Sequence, residues 1–203
     1  MLQSPLILAS QSSRRRQLLR DAGYDFKVIV PSEFAECGVC SRESPPELVA
    51  RLAFQKAKDV APRIEQGIVL GCDTVAECQG RILGKPVDHQ HAREMLQLLR
   101  GREHSVYSGV CLWYRPSDTS SVRVSRTRLA MDLISDDQLD EYLLSECWRG
   151  KAGAFGYQDR LGWIHILEGS ESNVVGLPLE LLEEMLGKES MKGEGRKEGR
   201  GTA

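Results

Sequence analysis

The chain has 203 residues, of which 27 are Lys or Arg, 29 are Asp or Glu and 41% are hydrophobic. That length fits one sizeable domain or two lobes that share a core, and the composition is that of a folded globular protein rather than of a disordered or fibrous one. The net charge of -2 excludes a globally basic nucleic-acid-binding protein, so a local cluster of cations must hold any anionic ligand.

The sequence also lacks the signals of a membrane or secreted protein. No apolar run approaches the roughly 18 residues that a membrane span needs, and the longest runs have the length of buried strands. The N-terminus has no basic segment, and its apolar stretch is too short for a signal peptide. We therefore expect a cytoplasmic protein without a membrane partner, whose six cysteines are reduced thiols.

The N-terminal segment predicts a strand, a serine-rich loop and a helix in that order. The apolar run Leu6–Ala9 has the length of a buried strand. Serines within residues 10–13 are good helix N-caps, and Gly23 is a natural stop for the helix that begins near Arg14. A second strand is predicted over Phe26–Val30.

The remaining elements alternate between helices and strands. Helices are predicted after the capping residues Ser44, Asp88 and Ser135, and again over Leu179–Leu186. The predicted strands are Ile68–Cys72 with its continuation to Ala76, the antiparallel pair Val106–Tyr114 and Val122–Met131, and Trp163–Leu167. This alternation, with one antiparallel pair, predicts an α/β fold with a mixed sheet.

The composition changes after Leu186. Residues 187–203 are mostly Gly, Lys, Arg and Glu, and such a segment cannot bury enough apolar surface to offset its ordering entropy. We therefore predict a folded domain over residues 1–186, followed by a disordered tail.

The loop between the first strand and the first helix has the features of a phosphate site. Backbone N–H groups at a helix N-terminus and serine hydroxyls both favour an anion. Arg14 and Arg15 have the wrong sign for the helix dipole, which disfavours each charge by about 0.3–1 kcal/mol. A polyanionic ligand would compensate for these charges, and a solvated basic helix start is the alternative interpretation.

Two further segments carry candidate binding residues. Asp73 and Thr74 follow a buried strand, and carboxylates at strand ends of α/β proteins commonly face the ligand crevice. Residues 150–158 include three glycines, which let a backbone approach a ligand closely, and Lys151 and Gln158 in this stretch could line a pocket. The alternatives are a turn-capping aspartate and a flexible loop.

Two motifs do not match the sites that they suggest. Residues 80–86 resemble a Walker P-loop but have one residue too few between the glycines, and Pro86 follows the lysine. Lys85 could still contact a phosphate as a point charge. Cys37 and Cys40 form a C-x-x-C pattern without further ligands at zinc spacing and without a helix opening directly after a strand, so zinc or dithiol redox function is the disfavoured interpretation.

Seven segments match the motifs of a known family in order and spacing. They are LILASQSSRRRQLL (Leu6–Leu19), VPSEFAE (Val30–Glu36), LAFQKA (Leu52–Ala57), GCDTV (Gly71–Val75), GKPVD (Gly84–Asp88), GKAGAFGYQ (Gly150–Gln158) and SNVVGLPL (Ser172–Leu179). Each is weak alone, but together they are specific. From about Leu6 to Leu182 the chain resembles the Maf family of nucleoside triphosphate pyrophosphatases.

The resemblance implies a Maf/ITPase-like α/β fold, with an elongated mixed β-sheet flanked by helices and a nucleotide cleft between two lobes. The implied reaction cleaves a nucleoside triphosphate between the α and β phosphates, giving a monophosphate and pyrophosphate, with Mg²⁺ or Mn²⁺ as the cofactor. The implied partner is a small-molecule nucleotide rather than a nucleic acid. We also consider a homodimer, which the sequence does not decide.

The resemblance also implies roles for individual residues. Asp73 matches the proton acceptor of the family, and Glu36 and Asp73 match metal-binding carboxylates. Arg14, Thr74 and Gln158 match residues tied to substrate choice, and this combination resembles the dTTP/UTP branch. Phosphate contacts carry over to Ser10, Arg15, Lys56, Lys85 and Lys151.

Other functions remain open at this stage. The implied role is housekeeping of the nucleotide pool against modified nucleotides, and a pyrophosphatase for other modified nucleotides is one alternative. A non-enzymatic nucleotide-binding regulator of cell division, which would use the same pocket, is another. The chain departs from the family at Ser13, where Pro is usual, and around Glu146, which we leave out of the site.

Overall fold

A computed structural model describes residues 4–33, 43–159 and 161–194. The strands in these ranges are Leu6–Ala9 (β1), Phe26–Val28 (β2), Gly67–Cys78 (β3), Arg81–Leu83 (β4), Glu103–Arg115 (β5), Thr119–Met131 (β6) and Ile164–Glu168 (β7). The α-helices are Ser13–Asp21 (α1), Pro45–Val60 (α2), His89–Leu99 (α3), Asp136–Leu144 (α4), Glu171–Val175 (α5) and Leu179–Glu194 (α6).

The strands form one mixed sheet in the order β2-β1-β3-β5-β6-β7, and β4 pairs with β3 outside this path. Strands β2, β1 and β3 are parallel, whereas the pairs β3–β5, β5–β6, β6–β7 and β3–β4 are antiparallel. Helices cover both faces. The predicted α/β class with a mixed sheet is therefore confirmed.

Strand β1 is buried on both sides, which explains its continuous apolar sequence. Leu6 and Leu8 belong to an apolar cluster on one face of the sheet that includes residues of α1 and α6. Ile7 and Ala9 belong to a cluster on the opposite face, with α2. The first half of the molecule is thus a layer of helices, a sheet and a second layer of helices.

A separate apolar cluster builds the second lobe. It joins α3 and α4 to the other halves of the long strands, with Leu96, Leu139 and Trp148 fully buried at its centre. Strands β3, β5 and β6 have 12 or 13 residues each and run through both lobes. The sheet is therefore elongated, as the resemblance implies, and its long strands are shared by both lobes.

Helix α2 lies unusually close to the sheet because two glycines face it. A Cβ atom added to Gly71 of β3 would lie 2.9 Å from the backbone nitrogen of Ala57, and one added to Gly109 of β5 would lie 2.8 Å from that of Ala50. Real Cβ atoms essentially never approach other atoms that closely. Because glycine has no side chain, these two positions allow α2 to pack this close to the sheet.

Two features differ from the sequence prediction. Helix α5 has five residues, too few for a periodic apolar pattern, and its main signal is the Ser170 hydroxyl that accepts a hydrogen bond from the Asn173 N–H. The predicted helix end at Leu186 is wrong, because α6 continues to Glu194; the disorder predicted for the C-terminal tail stays a prediction. Gly187 and Gly193 each cost the helix only about 1 kcal/mol, and most of the other residues in 187–194 are good helix formers. Residues 195–203 lie outside the described ranges.

None of the helices in the described ranges combines the length and the apolar character that crossing a membrane requires. The cysteines in these ranges, Cys72, Cys78, Cys111 and Cys147, are free. This agrees with the prediction of reduced thiols for these four residues.

Candidate active site

The main cleft opens where one edge of β3 is uncovered. Strand β1 stops at Ala9, opposite Gly71, whereas β4 begins to pair with β3 only at Ala76. Among the described residues no strand pairs with this edge between those points. A cleft of about 640 Å³ lies there, at the carboxyl end of β1, the place where α/β sheets usually bind ligands.

The cleft brings together every predicted site residue that the structure describes. These residues come from six separate places in the fold: the β1–α1 loop, α1, α2, β3, the β4–α3 loop and the segment between α4 and β7. Lining the cleft are Ser10, Arg14, Arg15, Lys56, Asp73, Thr74, Lys85, Lys151 and Gln158. Glu36, Cys37 and Cys40 lie outside the described residues.

Asp73 and Lys56 form an ion pair in the cleft. Lys56 Nζ lies 2.6 Å from Asp73 Oδ1, and the two side chains are only 6% and 15% exposed. Helix α2 begins at the predicted Ser44, which forms a capping box with Glu47, and this start fixes the helix that carries Lys56. The Asp73 carboxylate is therefore held in one orientation beside the uncovered edge of β3.

Arg15 joins three segments behind the cleft. Its Nε donates to the Gly176 carbonyl at 2.8 Å, its Nη2 to Thr74 Oγ1 at 3.1 Å, and its Nη1 to Ser10 Oγ at 3.3 Å. All three acceptors are neutral, and Arg15 makes no ion pair with any residue that the structure describes. The guanidinium thus holds these three segments together, and no acidic side chain in the described ranges balances its positive charge.

The hydroxyl of Thr74 is hydrogen-bonded to protein groups in the wall of the cleft. Besides accepting from Arg15, Thr74 Oγ1 lies 2.8 Å from Ser108 Oγ and 3.2 Å from the Gly176 carbonyl, to which it donates. Ser108 is fully buried. These contacts consume the hydrogen-bonding capacity of the hydroxyl, so Thr74 contributes shape to the cleft more than a free polar group.

Arg14 reaches across the cleft from α1. Its Nη2 donates to the Gly150 carbonyl at 2.5 Å and so connects α1 to the loop before β7. Burial, followed by the neighbouring charge of Arg15, lowers the pKa of the Arg14 guanidinium from its ordinary value. Both causes disfavour the cation, and an anion placed between the two arginines would relieve them.

The helix N-terminus beside these arginines is ready to bind an anion. The Ser12 hydroxyl caps α1 by accepting from the Arg15 N–H, and the first turn contains no acidic residue. Ser10 Oγ accepts from the Ser12 N–H at 3.1 Å, so its own hydrogen remains available to donate. Exposed Lys85 adds a cation on the opposite rim. These groups together favour a ligand with several negative charges.

The loop after α4 forms the remaining wall. Gly153 has a φ of +69° and donates its N–H to the Gly84 carbonyl at 3.0 Å, which ties this loop to the segment of Lys85. Lys151 is paired with Asp159, with its Nζ 2.6 Å from Oδ1. Gln158 is exposed toward the cleft at the end of this wall.

Several lining residues were not among the predicted site residues. Glu33, Phe155 and Gly176 line the same cleft. Gly176 lies within a motif that supports the family resemblance, so the sequence carried a signal for it. Nothing local distinguishes Glu33, because its role depends on where the loop after β2 places it.

Two carboxylates of the cleft bear on whether it can hold a divalent metal. Asp73 and Glu33 line it, while no group of three His, Cys, Asp or Glu side chains in the described ranges is placed to hold an ion. Mg²⁺ in phosphate-processing sites is typically bound by one or two carboxylates together with substrate phosphates and water. The carboxylates of the cleft fit that pattern.

A deep cleft with five cations, one oriented carboxylate and a helix N-terminus defines a class of protein: an α/β protein built to bind and process a phosphorylated, polyanionic small molecule. The comparisons narrow that class. The family model described as "Maf-like protein" matches residues 5–189, and the chain belongs to this family.

Curated relatives cover almost the whole chain. A dTTP/UTP pyrophosphatase of Rhodopirellula baltica is 59% identical over 182 residues, covering 89% of this chain and 80% of the relative. A dTTP/UTP pyrophosphatase of Dictyoglomus thermophilum is 38% identical over 188 residues, covering 92% and 97%. The solved structure of a HAM1 protein from Coxiella burnetii has a TM-score of 0.49 and 16% identity, covering 91% of this chain and 99% of that one.

Proposed function

We propose that this protein hydrolyses nucleoside triphosphates, dTTP and UTP above all, to the monophosphate and pyrophosphate. The names of the curated relatives support this activity. The observation that carries it in this chain is the oriented Lys56–Asp73 pair in a cleft where Arg14, Arg15 and Lys85 form no ion pair with any described residue. Such a cleft suits a polyanion that is attacked by water.

The cations address the main obstacle to the reaction. A triphosphate repels an incoming nucleophile, so the site must neutralise charge and position the water. Arg15 and Lys85 would bind phosphate oxygens, together with the N-terminus of α1 and the Ser10 hydroxyl. The substrate would thereby be held with its α-phosphate near Asp73.

Asp73 would accept the proton of the attacking water. Positioned acid–base groups contribute about 10²–10⁴-fold to a rate, and Lys56 keeps this carboxylate in a single orientation. Attack at the α-phosphorus breaks the bond to the oxygen that bridges the α and β phosphates. The electron pair of that bond leaves with pyrophosphate, and the monophosphate retains the new oxygen.

A divalent metal, Mg²⁺ or Mn²⁺, belongs to the same proposal. Asp73 and Glu36, the pair implied by the family resemblance, would hold it, and Glu33 lines the cleft as a further carboxylate. Such an ion, when bound, neutralises phosphate oxygens and lowers the pKa of a bound water. Turnover should therefore fall on chelation and return when Mg²⁺ or Mn²⁺ is added.

Base selection would fall to the other end of the cleft. Arg14 and Gln158 lie there on separate elements, and the amide of Gln158 offers both a donor and an acceptor to a base edge. Thr74 would shape the wall between them. The homodimer and the cytoplasmic location stay predictions from the sequence.

The deciding experiment is a panel of canonical and modified triphosphates with added metal, in which pyrophosphate and orthophosphate are measured separately. We expect pyrophosphate release, fastest with dTTP and UTP. Asp73→Asn should still bind the nucleotide but lose about 10²–10⁴-fold in turnover. Tight nucleotide binding without pyrophosphate release by the wild type would instead favour a nucleotide sensor.

A further inference from the structure

An ion pair in the wall of the cleft has no part in the reaction proposed above. Lys151 Nζ contacts both carboxylate oxygens of Asp159, and the two side chains are only 9% and 16% exposed. Both residues belong to the stretch between α4 and β7, which forms short 3₁₀ turns and no longer element. A pair this well buried is costly unless its geometry is fixed by further contacts.

Those further contacts are present. The hydroxyl of Tyr142, from helix α4, donates to Asp159 Oδ2 at 2.9 Å, and its ring packs edge-on against Trp163 with the centroids 5.5 Å apart. Asp159 is thereby held by a rigid helix as well as by Lys151. The carboxylate is the junction between the core of the second lobe and the wall of the cleft.

Gly156 provides the space in which the pair packs. A Cβ atom on Gly156 would lie 2.7 Å from Asp159 Oδ2 and 2.8 Å from Lys151 Cε, closer than real Cβ atoms approach other atoms. The φ of Gly156 is not in the left-handed region, so alanine could adopt this backbone. The pair and the glycine therefore form one packing unit.

This unit places the residues that line the base end of the cleft. Gln158 directly precedes Asp159 in the turn Tyr157–Asp159, so fixing the carboxylate fixes the backbone that carries the amide. At the other end of the loop, the carbonyl of Gly150 next to Lys151 accepts from Arg14. The two members of the ion pair are thus the chain neighbours of Gly150, which contacts Arg14, and of Gln158.

We propose that Asp159 is a positioning residue for base recognition, which holds Lys151 and, through its own turn, the Gln158 side chain at the distance from Arg14 that a pyrimidine requires. The inference rests on the proposed function. Asp159 offsets the charge of Lys151 locally, so the pair adds more to the placement of groups than to attraction of phosphate. Its loss should therefore alter the choice among bases more than the rate of cleavage.

The test compares kcat and KM for dTTP, UTP, ATP and GTP in the wild type and in three variants: Asp159→Asn, Tyr142→Phe and Gly156→Ala. We expect Asp159→Asn to raise KM for dTTP and UTP and to reduce their preference over purine triphosphates by about tenfold, with kcat within about twofold of the wild type. Gly156→Ala should act in the same direction, and Tyr142→Phe more weakly.

Asp140→Asn is the matched control. Asp140 also forms an ion pair in the second lobe, with Arg93, but its side chain is 50% exposed and does not line the cleft. This variant should keep the wild-type preference. Tyr142→Phe removes a single oxygen and Gly156→Ala adds a single carbon. Because these changes are small, the two variants still test the role of Asp159 if Asp159→Asn does not fold.

The outcomes separate the two proposals. A wild type that releases no pyrophosphate from dTTP or UTP refutes the proposed function itself. A wild type with pyrimidine preference and folded variants that retain it overturns the role of Asp159. An equal loss of activity on all four triphosphates also overturns it, since that result would mean that the pair only stabilises the fold.

Discussion

The close packing of helix α2 on the sheet can be tested by adding one methyl group to a glycine of β3. Gly71→Ala places a Cβ against the Ala53 carbonyl oxygen and the Ala57 backbone nitrogen, and the latter distance would be 2.9 Å. Carbon and its neighbours normally stay about 3.5–4 Å apart, so α2 must retreat by about 1 Å. Both opposing atoms are backbone and cannot rotate away. Overpacking of this kind costs about 1–3 kcal/mol of folding free energy.

The same displacement should reach the active site. Lys56 lies between Ala53 and Ala57 on the helix and contacts Asp73, which lies two residues after Gly71 on the same face of β3. A misplacement of about 1 Å near reacting groups can cost about 10²-fold in rate. We therefore expect Gly71→Ala to lose one to two orders of magnitude, roughly, in kcat for dTTP, measured as pyrophosphate release, and to unfold at lower urea concentration.

The control is a glycine without neighbours. Gly187 is exposed in α6, and a Cβ there would meet nothing within 4 Å. Gly187→Ala should keep wild-type turnover and equal or slightly exceed wild-type stability, since alanine is favoured in helices by about 1 kcal/mol over glycine. Wild-type stability together with wild-type turnover in Gly71→Ala would refute the inference that the glycine sets the Lys56–Asp73 geometry.

Three other substitutions test single side chains. Burial lowers the pKa of His104 from 6.5 to about 4, so as the pH falls below 6.5 the unfolded chain takes up this proton first and stability is lost. Between about pH 7.5 and 5 the wild type should therefore lose about 2 kcal/mol more unfolding free energy, measured in urea, than His104→Gln, and an equal loss in both proteins would contradict a buried neutral imidazole. Lys85→Ala should raise KM by about tenfold for every triphosphate alike, and an effect confined to one base would contradict a phosphate contact. Arg14→Trp should reduce the preference for dTTP and UTP in kcat/KM; an unchanged preference would contradict its role in specificity.

Local signals in the sequence were sufficient for most helices and strands. The caps predicted at Asp88 and Ser135 are confirmed, since their side chains accept from the His91 and Gln138 N–H groups. Such caps depend on residues three positions apart, which a sequence displays directly. The end of α6 was predicted wrongly because composition was given more weight than helix propensity, although both describe the same residues.

The sequence also predicted most of the residues that line the cleft, but it did not predict the hydrogen bonds and ion pairs among them. Arg15 was predicted as a phosphate contact, and that role stays a prediction. Its hydrogen bond to Gly176, 161 positions away, and the burial of Tyr142 against Asp159 depend on how distant segments pack. No local pattern encodes these contacts, so residues that position others escape sequence reasoning more readily than residues that carry the chemistry.

The place of the site follows from the topology of one strand edge. Strand β3 pairs along this edge first with β1, in parallel, and later with β4, antiparallel. Between these partners, the segment from Cys72 to Val75 has no strand beside this edge in the described part of the chain. Successive side chains of a strand point to opposite faces, so Asp73 meets Lys56 of α2 while Thr74 meets Arg15 of α1. In a fully paired sheet these two faces would be separated by the next strand. The uncovered edge lets adjacent residues with opposite surroundings line one cleft. In the proposed reaction the first would supply an oriented base, and the second would join the wall that selects the substrate.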